Sequence, residues 1–251
     1  MRPDQSEQTE NFFSGTDVKQ IDFNSMDTFF RRKQIWVMLF YKSNEQASKD
    51  IKNEFMYVFL IILNREFVNK MYGIFETGAI DCIEEEELWS EFLVFETPSI
   101  VVFTEDASDD GQKYTGEFKK QKISNFASKK MQSFLSIVHN DNYQNFIERE
   151  PENYKVLIFS DRKSQSPLLK HLSKIYNDKL LFGFVRKDEK ELISRFGIQK
   201  FPTIIVLTNQ QKDKGDVFEG EISLKNLQNF FREYAYFKKN KKVVGTKLSK
   251  S

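Results

Sequence analysis

The chain has one cysteine, Cys82, in 251 residues. That excludes an intrachain disulfide and the dithiol cycle in which a second thiol resolves a mixed disulfide. Cysteine usage therefore gives no sign of an oxidising compartment. Histidine is almost as scarce. His139 and His171 are the two histidines, 32 residues apart (171 minus 139), and with one thiol they are too few for a structural zinc site, so no metal and no cofactor is expected. An excess of one charge is missing too. Lys plus Arg total 38 against 37 for Asp plus Glu, so no global field favours nucleic acid, and none is expected as a partner.

The longest uninterrupted apolar run covers nine residues, Phe55-Met56-Tyr57-Val58-Phe59-Leu60-Ile61-Ile62-Leu63. A bilayer helix needs about 20, so no transmembrane segment is expected. No Gly-x-x-x-x-Gly-Lys, Gly-x-Gly-x-x-Gly or Gly-x-Ser-x-Gly pattern occurs, which leaves nucleotide binding and serine-hydrolase chemistry without a local basis. The first ten residues carry Asp4, Glu7 and Glu10. They lack both the apolar core of a signal peptide and the acid-poor character of a transit peptide.

What is present is a balance of 39% hydrophobic and 30% charged residues, the composition of a folded protein. Residues 1–17 read as a polar lead-in. Gln34-Ile35-Trp36-Val37-Met38-Leu39-Phe40-Tyr41 is too continuously apolar for a one-sided strand and predicts a central strand covered on both faces. From Asn44 to Tyr72 no Gly or Pro interrupts a stretch of helix formers, which predicts one long helix. Thr77–Cys82 reads as a strand and Glu84–Phe92 as a helix, with the acids Glu84 to Glu87 in a first turn where the helix dipole favours them. A proline followed at once by a strand comes next, at Thr97-Pro98-Ser99-Ile100. Tyr114 opens a further short strand, and Ile123–Ile137 predicts a closing amphipathic helix.

The order then starts again. Tyr143–Ile147 predicts a helix, Lys155–Phe159 a strand, Pro167–Tyr176 a helix and Leu180–Val185 a strand. Glu189–Phe196 follows as a helix, Phe201-Pro202-Thr203 leads into the strand Ile204–Leu207, and Leu224–Tyr236 closes. The two prolines stand 104 residues apart (202 minus 98) and the early strands 119 apart (159 minus 40), so extra helix is expected in the first copy. The repeat predicts two α/β domains, 18–138 and 139–237, each a central mixed sheet flanked by helices.

These strings resemble the thioredoxin fold, in particular the tandem thioredoxin-like domains of the protein disulfide isomerase family. The first copy matches through Trp36–Tyr41, Ala79–Cys82 and Thr97–Ile100. The second matches through Arg195-Phe196-Gly197-Ile198-Gln199-Lys200-Phe201-Pro202-Thr203-Ile204-Ile205-Val206. The resemblance implies a Cys-x-x-Cys at the start of the first long helix, but Glu45, Gln46, Ala47 and Ser48 stand there. The second copy offers Asp161–Pro167, also without a thiol. A hydroxyl or carboxylate cannot perform thiol exchange, so the fold is carried over and the reaction is not. The resemblance further implies that Thr97-Pro98 and Phe201-Pro202 are cis and mark two loops where a peptide can add as an extended strand.

Nine consecutive apolar positions circle a helix completely, whereas packing against one sheet needs only a stripe. Phe55–Leu63 is thus expected either to be covered within the chain or to face a permanent partner. Cys82, at the end of an inner strand, reads as a buried inert thiol. Lys238–Ser251 holds six lysines and no acid and reads as a solubilising tail, with peripheral docking to an acidic surface as its alternative. The expected function is a redox-inactive, protein-binding scaffold whose partners are other proteins, either a chaperone-like adaptor or an accessory subunit. The competing reading is a single-cysteine redox protein acting through Cys82. The family resemblance points to the endoplasmic reticulum, and the absent targeting pattern leaves mitochondrion and cytosol open.

Overall fold

The computed structural model describes residues 12–16, 18–63, 74–209 and 213–238, without the side chains of 57–63, 209, 237 and 238. The chain divides into two compact units, the first ending at Lys130 and the second taking up the chain from Met131.

The first unit runs through β1 (Lys19–Gln20), a 3-10 turn at Phe23–Ser25, α1 (Met26–Phe30), β2 (Ile35–Tyr41) and α2 (Gln46–Leu63). It continues through β3 (Phe75–Asp81), α3 (Glu86–Glu91), β4 (Ser99–Phe103), β5 (Gln112–Lys113) and α4 (Lys120–Lys130). The second unit comprises β6 (Leu135–Val138), α5 (Tyr143–Glu148), β7 (Tyr154–Ser160), α6 (Pro167–Ile175), β8 (Leu180–Arg186) and α7 (Lys190–Arg195). It closes with β9 (Thr203–Asn209), β10 (Lys214–Val217), α8 (Leu224–Arg232) and a π-helical segment, Glu233–Lys238.

The two sheets have the same topology. Their strand orders are β1-β3-β2-β4-β5 and β6-β8-β7-β9-β10. The first three strands of each pair in parallel, and the last two are antiparallel. Every residue of β2 and of β7 is buried, as a strand clothed on both faces requires. Alternation sends Trp36, Met38 and Phe40 into a core with Met26, Phe29, Leu88 and Phe103. Tyr41 faces the other way, where Phe13 meets both it and Phe55 of α2 edge-on. In the second unit Leu157 and Phe159 pack with Tyr143, Phe146, Val185 and Leu192.

Local chemistry sets several element ends. Ser166 caps α6, its Oγ accepting the Leu169 N–H at 3.4 Å, with Pro167 at the first helical position. Asp22 and Ser25 form a reciprocal capping box over the turn that leads into α1.

The structure corrects the sequence reading at several places. The helix expected over Ile123–Ile137 is α4, which stops at Lys130, and Leu135–Val138 is instead the edge strand β6 of the second sheet. No Gly or Pro marks that break, and a four-residue edge strand carries too little pattern to reveal itself. The strand placed at Tyr114 is Gln112–Lys113, and β1 and β10 were not foreseen. Of the four acids Glu84 to Glu87, only Glu86 and Glu87 lie in the first turn of α3, and Glu85 holds the N-cap position without a side-chain capping bond. Helix α2 has 18 residues against nine in α6, in line with the expected extra helix. The expected remainder, 64–72, lies outside the described residues.

Candidate functional site

Because β4 runs antiparallel to β2 with Ser99 opposite Phe40, the residues just before β4 are brought beside those just after β2. This places Glu45 next to Thr97. Glu45 precedes α2, its N–H donating to the Lys42 carbonyl at 3.0 Å and its carbonyl accepting the Lys49 N–H at 3.2 Å. Its Oε2 accepts two hydroxyls, Ser48 Oγ at 2.8 Å and Thr97 Oγ1 at 2.9 Å. Ser48 is fully buried, and its Oγ in turn accepts the Lys42 N–H at 3.1 Å. Gln46 and Ala47 are exposed, Gln46 donating to Asp50 Oδ1 at 2.7 Å. A carboxylate at a helix start is favoured by the dipole, and here it ties the entrance of α2 to the proline loop. No member of this cluster is a thiol or an activated nucleophile.

Both Thr97-Pro98 and Phe201-Pro202 are cis. A repeated hydroxyl holds the turn on either side: Ser99 Oγ donates to the Glu96 carbonyl and Thr203 Oγ1 to the Lys200 carbonyl, each at 2.6 Å. Beside Pro98 opens a groove of about 390 Å³ whose walls include Thr97, Pro98, Lys113, Tyr114, Gly116 and Phe118. At its rim Lys113 pairs with Glu96 and holds that carboxyl below the usual carboxylate range. In the second unit, His139 and Glu189, which follow β6 and β8, pair through Nδ1 and Oε1 at 2.7 Å.

Cys82 lies one residue beyond β3, and its N–H donates to the Tyr41 carbonyl at 2.8 Å. It is 3% exposed. Burial, reinforced by the neighbouring Asp81 charge, pushes its thiol up to about 12. Such a thiol is protonated at neutral pH, the opposite of a reactive cysteine. Among the described residues no group of three or more His, Cys, Asp or Glu is arranged to hold a metal ion, and no helix is long and apolar enough to cross a membrane.

Of the apolar run Phe55–Leu63, the backbone is helical throughout, Phe55 is buried and Met56 is partly so. The side chains from Tyr57 onward lie outside the described residues, as does the basic tail after Lys238. The structure thus joins Glu45 and Ser48 to Thr97 and leaves the Phe201-Pro202 loop as a separate feature of the second unit. The groove wall contributed by Lys113 to Phe118 escaped the sequence reading, because no motif distinguishes it from an ordinary surface turn.

Residues 79–233 match the family model described as a thioredoxin-like domain, and the chain belongs to that family. A protein of Dictyostelium discoideum named as a protein disulfide-isomerase is 27% identical over 217 residues, 84% of this chain and 51% of that protein. A protein disulfide isomerase-like protein of Oryza sativa subsp. japonica is 26% identical over 145 residues, 55% of this chain and 26% of its own length. The chain therefore spans about half, or less, of these relatives. Among solved structures, full-length ERdj5 superposes with a TM-score of 0.59 at 14% identity, covering 86% of this chain and 32% of that one. That likeness establishes the thioredoxin fold. The single cysteine leaves these residues without the Cys-x-x-Cys of disulfide-exchanging family members.

Proposed function

We propose that this chain is a redox-inactive protein-binding module, a chaperone-like adaptor or an accessory subunit, that presents the groove at Pro98 to polypeptide segments. The observation that carries the reading is the Glu45–Ser48–Thr97 cluster. Where a dithiol would sit, the Glu45 carboxylate takes the Ser48 hydroxyl and the Thr97 hydroxyl of the proline loop, beside an open groove. The loop at Phe201-Pro202 offers a second contact of the same kind. The isomerase names of the relatives support a client-handling role, and the endoplasmic reticulum is the compartment this reading assigns, to be checked by cell fractionation against organelle markers. Action through Cys82 is opposed by the burial of that thiol.

Two assays on the full chain test the proposal. In reductive precipitation of insulin the protein should give no acceleration, while Glu45→Cys/Ser48→Cys gains a reducible thiol pair. Crosslinking of a photoreactive unfolded polypeptide should label the Pro98 groove and be competed by unlabelled chains. Turnover of the insulin disulfides by the natural sequence, or crosslinks confined elsewhere, would sink the reading. Native purification then separates the two forms, since an adaptor yields many weak clients and a subunit a few stoichiometric ones.

A further inference from the structure

The interval of 104 residues between the two prolines also aligns Asp81–Pro98 with Val185–Pro202 without a gap. Helices α3 and α7 coincide under this shift, 86 plus 104 being 190 and 91 plus 104 being 195. So does the residue that leaves each helix in a left-handed conformation, Leu93 at φ +51° and Gly197 at φ +61°. Glu85 and Glu189 each accept a backbone N–H from the turn after the first strand, from Phe23 at 3.2 Å and Asn140 at 3.0 Å. Inward positions agree in character, Leu88 with Leu192, Phe92 with Phe196 and Val94 with Ile198.

Five of the outward positions do not agree, while Glu84, Glu87 and Ser90 keep the like residues Asp188, Glu191 and Ser194. Ile83, Leu93 and Phe95 stand where the second copy has Lys187, Gly197 and Gln199, and they are 45%, 73% and 85% exposed. Glu86 and Glu91 stand where it has Lys190 and Arg195. The second copy therefore serves as an internal control: one backbone, one inner face, and an outer face that in the first copy has gained three apolar residues and lacks the cations Lys187, Lys190 and Arg195 that offset the acids of the second. Leu93 adopts a conformation that disfavours L side chains, and its exposed side chain gains little packing from its own unit. Among the described residues the exposed carboxylates of Glu86, Glu87 and Glu91 have no ion-pair partner, whereas Glu96 is taken by Lys113.

We propose that this face of the first unit, Ile83, Leu93 and Phe95 bordered by Glu86, Glu87 and Glu91, docks a polypeptide segment that carries large apolar side chains flanked by lysine or arginine. The proposal rests on the protein-binding reading above and adds to it a second surface, whose residues do not line the Pro98 groove. Topology supports a single footprint. The end of β3 and the start of β4 flank β2 at the same end of the sheet, and six residues of α3 advance only about 9 Å. Large exposed apolar side chains grouped in this way mark interaction sites. Unpaired carboxylates around them select cations and repel an acidic segment.

The test is a fluorescence-anisotropy titration of the full chain with two labelled peptides, one alternating Leu and Phe with Lys, the other the same with Glu in place of Lys. The Lys peptide should bind at least about tenfold more tightly at low salt, with the preference shrinking as salt screens it. Glu86→Lys/Glu91→Arg, which installs the second copy's residues, should abolish the preference. Leu93→Gly/Phe95→Gln, likewise borrowed, should weaken the Lys peptide by about tenfold. Thermal melting confirms that both variants stay folded. Equal affinity for the two peptides overturns the charge specification while the protein-binding reading stands. Binding that survives Leu93→Gly/Phe95→Gln overturns the proposed location, and no binding of either peptide overturns this proposal while the groove at Pro98 stands or falls on the photocrosslinking assay.

Discussion

The Thr97 hydroxyl donates to the Glu45 carboxylate at 2.9 Å, joining the entrance of α2 to a loop 52 residues further along the chain. The same carboxylate receives Ser48, so one acid ties together the start of α2 and the proline loop. The site is thus closed by its own polar groups rather than merely stripped of sulfur.

A double-mutant cycle measures that link. Glu45→Ala and Thr97→Val, alone and together, should show a coupling of about 0.5–1 kcal/mol in denaturant unfolding, below the about 1.5–3 kcal/mol of a charged hydrogen bond because Glu45 is partly solvated. Strictly additive effects would show that the contact is not made in solution. Ser48→Ala should cost about 1–2 kcal/mol by itself, since it removes the acceptor of the Lys42 N–H.

Cys82 should resist thiol reagents in the native state and react fully once unfolded. Its alkaline behaviour follows from the direction of its shift. An unfolded thiol ionises near 9 and the folded one near 12, so its contribution to stability is complete below pH 9 and lost as pH rises from 9 towards 12. The slope approaches about 1.4 kcal/mol per pH unit and should be missing from Cys82→Ala when the two proteins are compared by urea unfolding. Labelling at neutral pH as fast as that of a free thiol would contradict the buried environment.

Arg32, 6% exposed, closes the turn after β4. Its Nε donates to the Thr104 carbonyl at 2.6 Å and its Nη2 to the carbonyls of Asp106 and, at 3.2 Å, Asp109. Its guanidinium also lies 4.5 Å from the centre of the Phe29 ring. Arg32→Met keeps most of the volume but leaves those carbonyls without their donor, which should cost about 2–4 kcal/mol. A change below about 0.5 kcal/mol in the unfolding free energy would mean that water replaces the guanidinium without loss.

Leu93→Gly should leave the protein as stable or raise its stability by up to about 1 kcal/mol. Relief of the left-handed backbone is partly offset by the greater freedom of glycine in the unfolded chain. A loss of more than about 1 kcal/mol in thermal or urea unfolding would show that the leucine packs within its own unit.

Much of the fold was legible because it is written in burial. Gln34–Tyr41 and Lys155–Phe159 are apolar enough on both faces to announce central strands, and the recurrence of a proline before the next strand exposed the duplication. Short edge elements were not legible. Lys19–Gln20, Leu135–Val138 and Lys214–Val217 are held by pairing with a neighbour, and pairing leaves no periodicity in so few residues. Glu45 and Ser48 were located by resemblance, but their bonds to one another and to Thr97 could not be read from spacing.

The sequence by itself determined the two-copy α/β architecture and ruled out a dithiol within these residues, because hydrophobic period and cysteine number are properties of the chain before it folds. Tertiary structure alone decided that Glu45 meets Thr97 and that Ile83, Leu93 and Phe95 emerge at one end of one sheet. Those facts depend on which segments the strand pairing brings together, and that is settled by the register of β2 with β3 and β4 rather than by any local run of residues.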